Sequence, residues 1–334
     1  MRTNVHEDLI ETIKTSLSEK DITLTKIEKD KIVSILADIL CLGKEAIYRR
    51  LRGEVRFTFE EVAKISLSLG FSIDNIIGVK SNERAIFDLN LVETDDINRN
   101  YVRRLEEYIN LFKRANRRSG GAKLKCAFNS LPYFFYLRYE NLAKFKLFKW
   151  AYQVKKLYSL PFREMEISKE AVAAQRTFVQ EARNIKSASI ILNQDIFSSF
   201  IREINYFHTL NLIDEDDIQN IKSELNQLLT EMELLTISGT YNTGADILLY
   251  LSNINIDASY ILLNYDVHSY AHLNLYGISG IDSQSNKVCQ THNEWIDSLK
   301  RYSILITHGG EMQRYKFFQE QRMEINSLCS FISA

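Results

Sequence analysis

The segment from Leu36 to Gly53 constrains the fold of this chain more than any other. Its apolar residues recur at helical spacing on both sides of Gly43, and positive charge is gathered in its second half. The pattern predicts two short helices joined by a tight turn. Helix-turn-helix domains present a recognition helix to the major groove of DNA in this way, so the segment indicates DNA binding.

Helical periodicity continues on both sides of this segment. It predicts a first helix that ends before Asp21 and a second helix that leads into the turn. The apolar residues that carry it are Leu9, Ile10, Ile13 and Leu17 in the first helix, and Ile27, Ile32, Ile35, Leu36 and Ile39 in the second. The third helix is expected to start near Gly43. Its residues Ala46, Ile47 and Arg50 should pack inward, with the stem of Arg50 covering apolar surface.

Capping residues mark where the following helices begin. Gly53 is a helix-ending residue that tolerates positive φ. Thr58, with Glu61 three residues later, predicts a capping box at the start of a fourth helix. Ser72 is expected to cap a fifth helix. The apolar residues of these two helices are Val62, Ile65, Leu67 and Leu69, then Ile73, Ile76 and Ile77.

Residues 26 to 78 are similar to the DNA-binding domains of Cro/C1-type repressors. The positions that carry this resemblance are Leu36-Ala37, Leu40, Leu42, Ile47, Gly53, Lys64-Ile65 and Leu69-Gly70-Phe71-Ser72-Ile73. Two positions of the turn depart from the family pattern. The family often has Gly where this chain has Cys41, and Ser where it has Gly43.

The resemblance implies six DNA-contacting residues. In this family the start and outer face of the third helix read base edges, and the end of that helix and the following loop hold phosphates. The corresponding residues here are Lys44, Glu45, Tyr48 and Arg49 for base edges, and Arg52 and Arg56 for phosphates. The glutamines that usually read bases are absent, so no DNA sequence is predicted.

The local charge of this segment also indicates DNA binding, independently of the resemblance. Between Lys44 and Arg56 there are five basic residues and two acidic ones, a local charge of +3 in a chain of formal net charge -1. Basic side chains that neutralise phosphates release counterions and make binding dependent on salt. The alternative is a solvated basic helix face in an unrelated helical bundle.

The rest of the chain predicts a mainly α fold in three parts. A five-helix, repressor-like helix-turn-helix domain is expected over residues 1–80, and a helical linker or dimerisation region over 81–230. Dense aromatic residues between 133 and 158 favour a packed core or a dimer interface over a ligand cage. A small α+β domain, with strands at 234–240, 246–251, 260–265, 270–276 and 303–306, is expected over 231–334. By analogy with other regulators, it is interpreted as a sensor or oligomerisation domain.

Other classes of protein are disfavoured. The cysteines lie far apart, without a CxxC pair, which indicates reduced thiols and a cytoplasmic protein; they are Cys41, Cys126, Cys289 and Cys329. There is no signal-peptide pattern and no apolar run long enough to span a bilayer, so no membrane partner is expected. Motifs of nucleotide, hydrolase and metalloprotease sites are absent. The chain is therefore expected to be neither an enzyme nor a cofactor-binding protein.

Four residues near the end of the chain have side chains that can bind a metal ion. His268 and His272 lie four apart in an expected strand, and Cys289 and His292 follow as C-x2-H. Strand positions four apart are separated by ~13 Å, too far to share one tetrahedral metal. No metal is predicted, and a buried thiol with hydrogen-bonded histidines is the preferred interpretation.

These observations predict a DNA-binding transcription regulator. The helix at about 43–52 should enter the major groove of double-stranded DNA, with the chain acting as a homodimer on two half-sites. A small-molecule or protein effector is left open. One alternative is a helix-turn-helix that binds another protein. A second is an enzyme with an unfamiliar site in the last hundred residues, which predicts a deep polar pocket among the strands.

Overall fold

Two separate hydrophobic cores divide the chain. The computed structural model describes residues 5–20, 29–73, 76, 85–93, 95–118, 120–155 and 160–328. The backbone forms two units, unit 1 over Met1–Ile86 and unit 2 over Phe87–Ala334. Each unit encloses its own core of buried apolar side chains.

Unit 1 is built from short helices. Those among its described residues are α1 (Val5–Lys20), α2 (Lys29–Leu40), α3 (Lys44–Leu51) and α4 (Phe59–Leu69). Their apolar faces meet in one core, where Ile13, Leu36, Ile47 and Ile65 are fully buried. The predicted fifth helix, and Ile27 of the second, lie largely outside the described residues.

The predicted capping box of Thr58 with Glu61 and the predicted positive φ of Gly53 are confirmed. The Thr58 hydroxyl accepts a hydrogen bond from the Glu61 N–H at 3.2 Å, and Glu61 Oε2 accepts one from the Thr58 N–H at 2.9 Å. This reciprocal pair satisfies two N–H groups that the first turn of α4 would otherwise leave unpaired. Gly53 has a φ of 80°, as expected for the residue that ends α3.

Unit 2 corrects the predicted fold class. Its strands are β1 (Asp88–Asn90), β2 (Lys123–Phe128), β3 (Ser187–Leu192), β4 (Asp246–Ser252), β5 (Tyr260–Tyr265), β6 (His268–Leu275), β7 (Ser279–Ser283) and β8 (Ser303–Leu305). They form one eight-stranded sheet in the order β1-β7-β6-β5-β2-β3-β4-β8. The prediction of a mainly α chain with a helical middle and a small α+β domain is therefore wrong. The fold is α+β, because β2 and β3 of the supposed helical region lie in the middle of the sheet.

The sheet is mixed. Strands β2, β3 and β4 run parallel, and every other pairing is antiparallel. Parallel neighbours need long crossovers, which the helices between β2 and β3 and between β3 and β4 supply. The helices of unit 2 are α5 (Ile97–Asn116), α6 (Tyr133–Tyr136), α7 (Glu140–Lys155), α8 (Lys169–Arg183), α9 (Ser198–Thr209), α10 (Glu215–Ser238), α11 (Asn286–Arg301) and α12 (Glu311–Asn326), with a 3-10 turn at Phe162–Glu164.

Side chains of the central strands alternate between two cores on opposite faces of the sheet. Leu124, Cys126 and Phe128 of β2 belong to the larger core, beneath most of the helices. Ala127 belongs to the smaller core, which α11 covers. Both faces are thus buried, as is usual for parallel strands.

One predicted strand is the end of a helix. The sequence predicts a strand at residues 234–240, but helix α10 continues to Ser238 and ends at Gly239, whose φ is 66°. Leu228, Met232 and Leu235 are buried at spacings of four and three, so the helical period of α10 carries on through the run. Among the described residues, every helix is too short or too polar to pass through a lipid bilayer.

Candidate nucleic-acid interface

The turn between α2 and α3 is fixed by a left-handed residue. Cys41 has a φ of 53°, and the Leu42 N–H donates a hydrogen bond to the Ala37 carbonyl at 3.1 Å. This is the bond pattern with which many helices end, and glycine is the residue that adopts it with least strain. The backbone at this position would therefore suit glycine, although this chain has a cysteine there.

The inner face of α3 anchors it to α4. Ile47 is fully buried, and the Arg50 guanidinium forks onto Glu61 with Nε–Oε2 at 3.1 Å and Nη2–Oε1 at 2.7 Å. Both side chains of this ion pair are only about 15% exposed, at 15% and 16%. Hydrogen bonds from Arg50 hold the pKa of the Glu61 carboxyl below its ordinary value, with a smaller effect from Thr58. Glu61 thus fixes both α3 and the start of α4.

The outer face of α3 carries the residues predicted to contact DNA. Lys44, Glu45 and Arg49 are exposed. Tyr48 is half-buried, and its hydroxyl donates to Asp30 Oδ1 of α2 at 2.5 Å, which is the main reason that the pKa of Tyr48 is raised. The hydroxyl of Tyr48 is therefore already engaged, whereas one edge of its ring remains accessible.

The exposed arginines are paired with glutamates. Arg49 Nε lies 3.6 Å from Glu54 Oε2, and Arg52 contacts Glu54 at 2.7 Å and Glu45 at 3.2 Å. Ion pairs this exposed contribute about 0–1 kcal/mol, so a phosphate can replace the carboxylate at little cost. Two glutamates therefore pair with the exposed arginines at the end of α3.

Lys44 and Arg56 differ from these arginines. Both are exposed, and neither forms an ion pair with another residue in the described part of the chain. The five basic residues of this segment therefore differ in their contacts. Arg50 is bound to Glu61, and Arg49 and Arg52 pair with exposed glutamates. Lys44 and Arg56 have no ion pair in the described part of the chain. Helical periodicity predicted which residues of α3 face outward. It did not predict that Tyr48 contacts Asp30 or that Arg50 contacts Glu61, because those contacts join separate helices.

The residues weighed as metal ligands are engaged elsewhere in unit 2. His272 Nδ1 lies 2.6 Å from Asp282 Oδ1, and the His292 ring packs edge-on against Tyr260. Burial lowers the pKa of His292, which favours its neutral form. Within the described ranges, no three His, Cys, Asp or Glu side chains gather where they could hold a metal ion.

Comparison with known proteins adds no family to this description. No protein-family model, curated protein or solved structure matches the chain. Unit 1 is therefore described by its own residues: the short turn at Cys41, the anchored inner face of α3 and the accessible outer face with its basic side chains.

Proposed function

We propose that the chain is a sequence-specific DNA-binding transcription regulator whose helix α3 enters the major groove of double-stranded DNA. The observation that carries the proposal is the outer face of α3, where Lys44 and Arg49 are exposed beside the half-buried Tyr48. Arg52 and Arg56 extend the basic surface beyond the helix end. An eight-residue helix with such a face suits a groove about 12 Å wide.

The proposed contacts fall into two kinds. Lys44, Tyr48 and Arg49 face base edges, where Arg or Lys can donate to the O6 and N7 atoms of guanine. Arg52 and Arg56 contact phosphates, which fix the position of the helix without reading sequence. Glu45 either accepts a hydrogen bond from the amino group of cytosine or remains paired with Arg52.

A homodimer fits this proposal because one short helix reads only a few base pairs. Two copies on half-sites one turn apart, about 34 Å, would multiply the specificity. Phe59 and Leu67, both exposed on α4, favour a protein contact on unit 1. The same pair supports the second candidate, a helix-turn-helix unit that binds another protein rather than DNA.

The experiment is a titration of fluorescent duplex DNA with the full chain at several salt concentrations, preceded by selection of bound fragments from a random duplex library. Arg49→Ala and Arg52→Ala should each weaken binding about fivefold to tenfold. For a lost phosphate contact, the slope of log affinity against log salt should fall by about 0.9.

Lys287→Ala, at an exposed lysine of unit 2, is the matched control and should leave both quantities unchanged. If the wild-type chain fails to shift any duplex at low salt, DNA binding is refuted and the protein-binding candidate takes its place. If it binds but the two arginine variants behave like wild type, the assignment of α3 is refuted.

A further inference from the structure

Unit 2 contains a cavity of about 80 Å³ between the sheet and the helices α5, α6, α7 and α8, which the proposed function does not use. Its walls are mostly apolar and rich in aromatic rings, among them Phe112, Phe134 and Phe178. It is not the polar pocket that an enzyme in the last hundred residues predicts. An apolar cavity with a few converging polar groups is the usual form of a small-ligand site.

Positive charge at one end of the cavity is not balanced. Lys146 lines the cavity, with its Nζ 4.0 Å from Glu203 Oε2, while Lys149 is in closer contact with the same carboxylate. The exposed fraction of the side chain is 19% for Lys146, 22% for Lys149 and 28% for Glu203. Two ammonium groups sharing one carboxylate leave a net charge of +1 in a largely buried place, which is costly without a further anion.

Two tyrosines of the lining offer hydroxyl donors without acceptors. Tyr101 Oη accepts a hydrogen bond from Gln175 Nε2 at 3.2 Å, but its own proton has no acceptor among the described residues. The fully buried Tyr136 hydroxyl has no hydrogen-bond partner within the same part of the chain. Burial raises the pKa of Tyr101 to about 12, so it stays a neutral donor, and Tyr101 and Glu203 both lie near enough to influence the pKa of Tyr136. Tyr101 and Tyr136 line the same cavity as Lys146.

Several other polar groups in or beside the lining already have hydrogen bonds. Asp282, only 1% exposed, accepts from Tyr108 at 3.2 Å and is in contact with His272 and Asn90. The Tyr133 hydroxyl donates to the Gly277 carbonyl at 3.2 Å. Asn274 Oδ1 is a buried acceptor without a partner in the described residues, and its amide can turn to present a donor instead. Arg104 also lines the cavity, and its buried Nε has no partner among the described residues. The unmet donors of the lining are thus the hydroxyls of Tyr101 and Tyr136 and the Nε of Arg104.

We propose that this cavity binds a short-chain monocarboxylate, with its hydrocarbon chain among the rings and its carboxylate held by Lys146, Tyr101 and Tyr136. A cavity of about 150 Å³ accepts benzene, so one of about half that volume suits an acid of about two to four carbons. The carboxylate neutralises the excess charge and accepts the two hydroxyl protons. This inference is independent of DNA binding.

The test is isothermal titration of the full chain at pH 7 with butyrate and with butyramide, which has the same shape but no charge. Butyrate should bind, and butyramide should bind at least about tenfold more weakly, since it has no charge for the Lys146 ammonium to pair with and hydrogen bonds to charged groups are the stronger ones. Hexanoate, which exceeds the cavity, should also bind more weakly than butyrate. Equal binding of butyrate and butyramide, or no binding of either acid, overturns the proposal.

Two variants locate the site. Lys146→Met should lower the affinity for butyrate about tenfold and abolish the preference over butyramide. Tyr136→Phe, which keeps the buried ring, should lower it several-fold and provides a second readout should Lys146→Met fold poorly. Lys144→Met, on the same helix but outside the cavity lining, is the matched control. Wild-type affinity in both cavity variants would place any binding elsewhere and refute the assignment.

Discussion

The two units of this chain hold their cations in opposite ways. On α3 of unit 1, Arg49 and Arg52 lie in water beside glutamates that they can exchange for other anions. In unit 2, Lys146 is largely buried, next to an aromatic ring and a carboxylate that it shares with Lys149. An exposed cation attracts many anions weakly and is screened by salt, whereas a buried one selects by size and shape. The first arrangement suits a polyanion, and the second suits one small acid.

Arg50 of unit 1 combines the two cases, since its guanidinium is paired with a glutamate but largely shielded from water. Breaking this ion pair should have the largest effect on stability. The paired glutamate, Glu61, also closes the capping box of α4. Glu61→Ala should lower the free energy of unfolding of unit 1 by about 2–4 kcal/mol, because it strands a partly buried guanidinium and removes a cap. Hydrogen exchange of backbone amides in residues 29–73 of the full chain measures this locally.

The matched control for that prediction is Glu45→Ala. Glu45 pairs with Arg52 at an exposed position, so its loss should cost no more than about 0.5 kcal/mol. Similar protection factors in the two variants would mean that burial does not separate Arg50 from the outer arginines, and the contrast within unit 1 would fail.

Lys146→Met gives the next largest effect, with the opposite sign. Burial lowers the pKa of Lys146 from 10.5 to about 8, so charging this lysine opposes folding. Below pH 8 both the folded and unfolded chains carry the proton, and the penalty is complete. Between pH 8 and 10.5 the unfolded chain binds more protons, so stability rises with pH and the penalty disappears.

The Lys146→Met variant should therefore be more stable than wild type by about 2 kcal/mol at pH 7, and by much less above pH 10. Urea unfolding at the two pH values, in buffers free of carboxylates, measures the difference. Lys287→Met, at an exposed lysine, should show no such pH dependence. A gain in Lys146→Met that is equal at both pH values would come from apolar packing and not from the charge.

The features that the sequence predicted correctly depend on residues that lie close together along the chain. The capping box of Thr58 with Glu61 and the positive φ of Gly53 follow from chemistry within one turn, and both are present. The exposed face of α3 follows from periodicity over eight residues. The ion pair of Arg50 with Glu61 was not predicted, because periodicity places Arg50 inward without identifying what it meets.

The strands predicted at 246–251, 260–265, 270–276 and 303–306 correspond to β4, β5, β6 and β8, but β2 and β3 were missed for a related reason. Strand β3 is short and buried on both faces, so its run of Ile190, Ile191 and Leu192 has no polar alternation to mark a strand. In β2 the charged Lys125 hides the pattern, although its ammonium pairs with Asp297 of α11 at 2.9 Å. The Lys146 site depends on α7, α9 and the sheet meeting, which no local pattern encodes.

The smallest expected effect tests whether the exposed arginines of α3 are exchangeable. Glu54 contacts both Arg49 and Arg52, so in the proposed complex it competes with DNA for the two of them. If α3 contacts DNA as proposed, Glu54→Gln should tighten duplex binding about twofold to fivefold at low salt, because it frees both guanidinium groups and removes a repelling charge. The gain should shrink as salt rises and screens the carboxylate of the wild-type chain. The anisotropy titration described above measures it, with Glu60→Gln on α4 as the control for loss of an exposed carboxylate that pairs with Lys64 instead. Unchanged or weaker binding in Glu54→Gln alone would mean that these arginines do not contact the DNA.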